Sequence, residues 1–414
     1  MTQRHVHPWV FMVLILPFGV TGGYVSVAVA YLLAKGGVSI ERIAALVALG
    51  LLPHTWKFAW APIADTTLSR KTWYLVAGAL TALGTLATGL LPDTSVGLAT
   101  LSAVYFATNV AVTFLGMSVE SLMAYGTSES EKGRAGGWFQ AGNLGGTGIG
   151  GGVGLLLAQR LPSPWMAGAI LAASCLLCCC ALWLVPEPRS AHRDRKILKS
   201  LVNVGRDLWS VARSRIGALA LILCFLPLGS GAASGLWSAI SGDWKASADV
   251  VAIVTGVFGG IISAVGCLLG GWICDRMDRK TAYALYGVLQ ALCAVAMALA
   301  PRTEAMFVVF TSLYALITGL TYAGFTAFVL EAMGLGAAAT KYNVFASLSN
   351  TPIYYMTRID GWSHERWGPG GMLYTEAVFG MIGLIVFLAI LAAVRKRAPV
   401  APSLASADTG GAGR

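Results

Sequence analysis

Apolar runs of roughly spanning length recur along the whole chain, separated by short polar breaks. A helix that crosses a bilayer needs about 20 mostly apolar residues. Twelve runs meet that description, near 9–33, 41–63, 73–91, 97–123, 136–159, 165–185, 216–238, 249–273, 281–300, 305–331, 340–358 and 371–394. The breaks hold turn formers such as Pro92-Asp93, Leu161-Pro162-Ser163-Pro164 and Pro301-Arg302. The first run follows Arg4 and contains Ala28-Val29-Ala30, which imitates a signal peptide. It is longer than the apolar core of about 7–15 residues that such a peptide carries, so it is read as a retained span.

One polar connection is much longer than the rest. Residues 187–215 carry a basic run followed by a weakly amphipathic stretch, Ile197 to Val211, and they fall at the midpoint of the twelve runs. The expected organisation is an N-terminal six-helix bundle over 1–186, a cytoplasmic linker over 187–215, a C-terminal six-helix bundle over 216–397 and a disordered tail over 398–414. The tail is rich in Ala, Gly and Ser. Lys and Arg set the orientation, because loops on the cytoplasmic side carry an excess of both. With both termini inside, 21 of the 29 fall on inner segments and 7 on outer ones, and Lys57 lies within a span. That bias predicts a multi-pass membrane protein with an even number of spans and both termini cytoplasmic.

The two halves repeat at an offset near 210. Arg70-Lys71-Thr72-Trp73-Tyr74 matches Arg279-Lys280-Thr281-Ala282-Tyr283, and Asp65 matches Asp275. Leu16-Pro17-Phe18-Gly19 matches Leu226-Pro227-Leu228-Gly229, and Glu120 matches Glu331. The fold class expected is therefore all-α integral membrane, with two pseudo-symmetric bundles that rock about a central site.

Composition supports this and removes alternatives. The chain is 56% hydrophobic and only 12% charged, against about a quarter charged in soluble proteins. Its 50 glycines suit close packing of spanning helices. A net charge of +10 would suggest nucleic acid in a soluble protein; here the basic residues sit in loops, where lipid headgroups and orientation explain them. The partners expected are a small-molecule solute and the lipid bilayer, with no nucleic acid and no obligate subunit, so a monomer. Cys175-x-x-Cys178 has a metal or redox spacing but lies in an apolar run without nearby His or acid, and no metal or cofactor is expected. The run Gly142 to Gly152 lacks the Gly-Lys-Ser/Thr step of a phosphate loop and reads as a small-residue packing face or a flexible segment within the fifth span.

Gly270-Gly271-Trp272-Ile273-Cys274-Asp275-Arg276-Met277-Asp278-Arg279-Lys280 resembles the loop motif of the major facilitator superfamily. The copy in the first half keeps Asp65, Arg70 and Lys71. Within that superfamily, Thr55 to Asp65 resembles the W-K-F-x-W-[AS]-P-x-x-D stretch of the AmpG-like peptide and acetyl-CoA transporter group. Phe345 to Tyr355 is similar to the RhtX/FptX siderophore permeases of that group. The resemblance implies alternating access, proton-driven import of a ferric siderophore of small aromatic type such as pyochelin, and no enzymatic activity. An anhydromuropeptide or acetyl-CoA is the alternative solute. Glu131-Lys132-Gly133-Arg134 and the single acid of the fourth span depart from the muropeptide permeases.

Ionisable residues within spans need a partner or a task. Glu120 and Glu331 are candidate proton carriers. The resemblance implies instead a cytoplasmic gate with Lys57, Asp65, Arg70, Lys71, Asp275, Arg276, Arg279 and Lys280, in which Arg70 or Lys57 pairs with Glu120 and Arg276 or Arg279 with Glu331, and the two-fold repetition favours this reading. Candidate solute contacts are Tyr24, His54, Asn109, Gln140, Asn143, Trp237, Tyr322, Asn350, Tyr354 and Arg358. Amides and phenols with few fixed charges suit a large, mostly neutral aromatic or glycosidic solute. A membrane-embedded transferase would need an acid/base pair at catalytic spacing, and the in-span candidates His54, Lys57, Glu120 and Glu331 offer none.

Overall fold

The computed structural model of the chain describes residues 6–91, 95–127, 132–186, 202, 205–206, 209, 213–333 and 344–396. Nearly all of the 187–215 linker and the whole 398–414 tail lie outside them. The described residues form twelve helical elements. In the first half these are α1 (9–35), α2 (40–66), α3 (Arg70–Leu90), α4 (Ser95–Gly126), α5 (132–160) and α6 (Trp165–Leu184). In the second half they are α7 (215–244), α8 (Ala248–Cys274), α9 (Arg279–Leu299), α10 (Glu304–Met333), α11 (344–367) and α12 (369–396).

The repeat inferred from sequence is present in the backbone. α3 and α9 are both 21 residues long and lie 209 positions apart, from Arg70 to Arg279. Each begins on a capping side chain: Ser69 accepts from the Thr72 amide, and Asp278 accepts from the Thr281 amide. Such caps satisfy amides that the first turn leaves without partners. On each of these helices a buried tyrosine reaches the first element of its half. Tyr74 donates to the Leu14 carbonyl and Tyr283 to the Leu228 carbonyl, both at 2.8 Å.

Glycines let α1 and α5 touch backbone to backbone. A Cβ added at Gly150 would fall 2.0 Å from the Val20 carbonyl oxygen. The 142–152 run is thus a packing face. Its other side meets α8, where a Cβ at Gly256 would lie 2.5 Å from the Gly152 Cα.

Two elements depart from straight helices. α2 bends by 53° between Ile40–Thr55 and Lys57–Ala64, next to Pro53 and Pro62. α7 breaks outright after Leu223, and helical structure resumes only at Ala232. Gly229 and Gly231 in the break have φ of 62° and 68°, a region costly to any residue with a Cβ. The corresponding Leu16-Pro17-Phe18-Gly19 stretch of α1 stays helical.

α11 is longer than the sequence pattern suggests. The charged stretch from Arg358 to Arg366 reads as a break after 358, yet the helix continues to Trp367 and turns only at Gly368, with φ of 68°. Asp360 and Ser363 face inward and are fully buried, while Trp362 and Trp367 face outward, so this polar stretch is amphipathic helix.

The apolar cores show how the halves meet. At the end away from the chain termini, one large core mixes both halves, from Leu33, Ile43 and Leu155 to Leu236, Trp244 and Met297. At the terminal end each half keeps its own core, one around Phe11, Tyr74 and Leu122, another around Leu223, Tyr283 and Phe387. The bundle is therefore sealed between its halves at the end remote from the termini.

Candidate functional site

The break in α7 opens a small cavity of about 40 Å³ on the terminal side of the sealed core. Ser230, Tyr283, Thr321, Tyr322, Phe325 and Ser349 are among its thirteen lining residues, and none of the thirteen is charged. The unwound carbonyls are not left bare, as burial requires. Tyr283 donates to Leu228, Tyr355 donates to Phe225 at 2.8 Å, and Ser234 donates to Gly231 at 2.6 Å. Discontinuous spans of this kind mark solute sites in transporters, because freed backbone groups can face a ligand.

Behind the break lies a buried polar network. Ser230 lines the cavity and donates to Glu376 Oε1 at 3.3 Å; Tyr314 of α10 donates to the same oxygen at 2.7 Å. Asp360 of α11 faces Glu376 of α12 within hydrogen-bonding reach, the two standing eight positions either side of Gly368. Next to them Gln290 donates to Thr318 and accepts from Thr321, each at 3.3 Å. Sequence reasoning missed both acids. Glu376 stood inside an expected span, which was signal enough; Asp360 fell in an expected break.

The candidates named from sequence fall into separate groups. His54 and Asn109 meet at 3.2 Å between α2 and α4, with the Phe18 ring edge-on to His54. Gln140 and Asn143 share a face of α5, 3.4 Å apart. Tyr24 is buried within the first half against Gly89, Gly154 and Gly168. Trp237 is packed edge-on to Tyr314 inside the shared core. Tyr322 lines the cavity. The Asn350 amide donates to Ala346 and Ser347 carbonyls near the start of α11. Tyr354 is half-buried and Arg358 is exposed on the same helix.

The sequence profile described as Major Facilitator Superfamily matches residues 10–353. The chain belongs to that superfamily. No curated protein matches it. Among solved structures of the same superfamily fold, the nucleoside transporter NupG aligns with a TM-score of 0.73 at 14% identity, covering 94% of this chain and 99% of that one. The xylose transporter XylE from E. coli, in a partially occluded inward-open conformation, aligns at 0.70 and 12% identity, covering 92% and 99%. A POT family transporter in complex with a thioalcohol-conjugated peptide aligns at 0.69 and 11%, covering 93% and 96%. At these identities the likeness establishes the fold. Membership places the chain among multi-pass secondary transporters of small solutes rather than among enzymes.

In this superfamily member the loop-motif residues lie at the terminal end, and the two copies differ. Lys57, rather than Arg70, takes Glu120, with Nζ 3.3 Å from Oε1. Arg70 instead donates to the Ser121 hydroxyl and covers the Tyr125 ring. Lys71 donates to the Leu182 carbonyl at 3.0 Å. In the second copy Arg276 stacks on Trp272, 3.9 Å from the ring centre. Asp275 is exposed at the end of α8, where Arg279 and Lys280 begin α9. The side chains of Asp65 and Glu331 lie outside the described residues, so the expected Glu331 pairing does too.

Proposed function

We propose that this superfamily member imports a ferric siderophore of small aromatic type across the bacterial inner membrane, by alternating access driven by protons, with both termini in the cytoplasm. The observation that carries the reading is the uncharged cavity at the α7 break. It is small in this conformation, about 40 Å³, so what supports the reading is the chemistry of its lining, and enclosing such a solute requires the break to open further. Its tyrosines and Phe325 offer ring faces to an aromatic ligand, and Ser230, Thr321 and Ser349 offer hydroxyls. The resemblance of Phe345 to Tyr355 to siderophore permeases supports the same choice, since Ser349, Pro352 and Ile353 of that stretch line the cavity. Acetyl-CoA would bring phosphates that call for basic groups, and none of the described lining residues is basic.

The test is uptake of radioactive iron, supplied as ferric siderophore, into spheroplasts with and without the gene. Gene-dependent uptake that an uncoupler abolishes is the expected result. Equal uptake in both strains would remove the siderophore reading, and labelled anhydromuropeptide in the same assay would then test the alternative.

A further inference from the structure

Two acids facing each other inside a spanning bundle need an explanation. Asp360 is fully buried and Glu376 is 6% exposed. Glu376 Oε1 receives the Tyr314 and Ser230 hydroxyls, but Asp360 Oδ1, Asp360 Oδ2 and Glu376 Oε2 receive no donor from any described residue outside the pair. Among the described residues, the polar groups facing the pair are Ser230 of α7, Tyr314 of α10 and Tyr355 of α11, with Gln290 of α9 behind Tyr314. None is basic. His364, one turn beyond Asp360, is held by Asp243 at 2.8 Å.

Chemistry narrows what such a pair can be. Two ionised carboxylates in contact would repel each other in a medium that cannot screen them, and no cation among the described residues offsets the cost. One proton shared between them removes the repulsion and supplies the donor that the orphaned oxygens lack. The pair then titrates as a unit. A structural ion pair would need a cation, and no described residue supplies one here.

Its position is equally specific. Ser230 touches both the cavity and Glu376, so one hydroxyl connects solute and acid pair. Displaced by the 209 positions that relate Arg70 to Arg279, Asp360 and Glu376 correspond to Gly151 and Ala167, so the first half has no such pair. A gate repeats with the two halves; a coupling site need not.

We propose that Asp360 and Glu376 bind the proton whose movement drives solute through the α7 cavity, with Ser230 and Tyr314 orienting the acceptor oxygen. This rests on the proton-driven reading above. Deprotonation would leave two facing carboxylates, separating α11 from α12 or drawing the Ser230 segment toward Glu376, and either motion reshapes the cavity wall.

The first arm of the test needs no solute. Infrared difference spectra of the purified full-length protein in lipid nanodiscs, recorded across a pH titration, should show the C=O band of one protonated carboxyl. That band should vanish or move in both D360N and E376Q. If it survives unchanged in both, the pair does not hold the proton. The second arm uses proteoliposomes with the solute identified by the uptake assay. One proton crossing roughly 100 mV supports about 50-fold accumulation, equivalent to about 2.3 kcal/mol. E376Q should lose about that factor while retaining solute counterflow, which also shows that it is folded. Accumulation undiminished in both variants overturns the proposal. Wild-type uptake that ignores an uncoupler removes the proton-driven reading itself, and with it the coupling role, whatever the spectra show.

Discussion

At the scale of single residues, Gly229 carries both a conformational and a steric demand. Its φ is 62°, and a Cβ there would fall 2.3 Å from Thr321 Cγ2. G229A should therefore destabilise the protein by about 1–3 kcal/mol through strain alone. G22A is the control, since nothing lies within 4 Å of a Cβ at Gly22. Thermal unfolding in detergent separates the two, and equal midpoints would mean that the break is not locked by Gly229. Lys57 and Glu120 pose a different question. Their side chains are 14% and 28% exposed, so truncating one strands a partly buried charge, at a cost of roughly 1–3 kcal/mol after allowing for solvent screening. The double variant K57A/E120A should recover part of that loss. E120Q should keep uncoupler-sensitive accumulation if the pair is a gate. If E120Q loses it while E376Q does not, the proton carrier sits in the first half.

At the scale of elements, two exposed ion pairs have the symmetry of the repeat. Arg160 ends α5 and meets Asp249 near the start of α8 at 3.8 Å; Arg366 near the end of α11 meets Glu41 near the start of α2 at 3.7 Å. Each joins the fifth element of one half to the second element of the other, across the sealed end. Each is worth at most about 1 kcal/mol. Together they can still move a balanced conformational equilibrium by roughly tenfold. R160E/R366E should increase the population open at that end, as measured by spin-label distances between α2 and α11, and should matter less in high salt. An unchanged distance distribution would make both pairs incidental. Much at this scale was legible in the sequence. Twelve apolar runs and a repeated Arg-Lys-Thr helix start gave the elements, because lipid imposes length and apolarity on each span. Two features were not legible. Leu16-Pro17-Phe18-Gly19 and Leu226-Pro227-Leu228-Gly229 look alike, and what separates them is Gly231 and the close approach of Thr318 and Thr321. The end of α11 was misplaced because Arg358, Asp360, His364, Glu365 and Arg366 resemble a loop until their helical faces are seen. The Asp360–Glu376 contact depends on that turn and so escaped the linear pattern.

At the scale of the whole molecule, alternating access requires that the shared core come apart. The seal depends on contacts that tolerate no bulk. Gly152 and Gly256 touch backbone to backbone between the halves, and Ser238 of α7 donates to the Ser26 carbonyl of α1. Tryptophan at 256 cannot fit beside the Gly152 Cα, so G256W should wedge α5 from α8 and favour the state open at the remote end. The reporter is a cysteine at Ser238, 1% exposed here, in a background where the eight native cysteines are replaced. With glycine at 256, S238C should react slowly with a membrane-impermeant maleimide applied to the membrane face remote from the termini. With G256W it should react at least roughly tenfold faster, matching a shift of about 1.4 kcal/mol in the conformational balance, and net transport should fall because the cycle cannot close. Slow labelling together with intact transport in G256W would mean that the halves part elsewhere. Fast labelling with intact transport would mean that the wedge loosens the helices locally without biasing the cycle. Only the combination of fast labelling and lost transport ties this glycine contact to the movement of one half against the other.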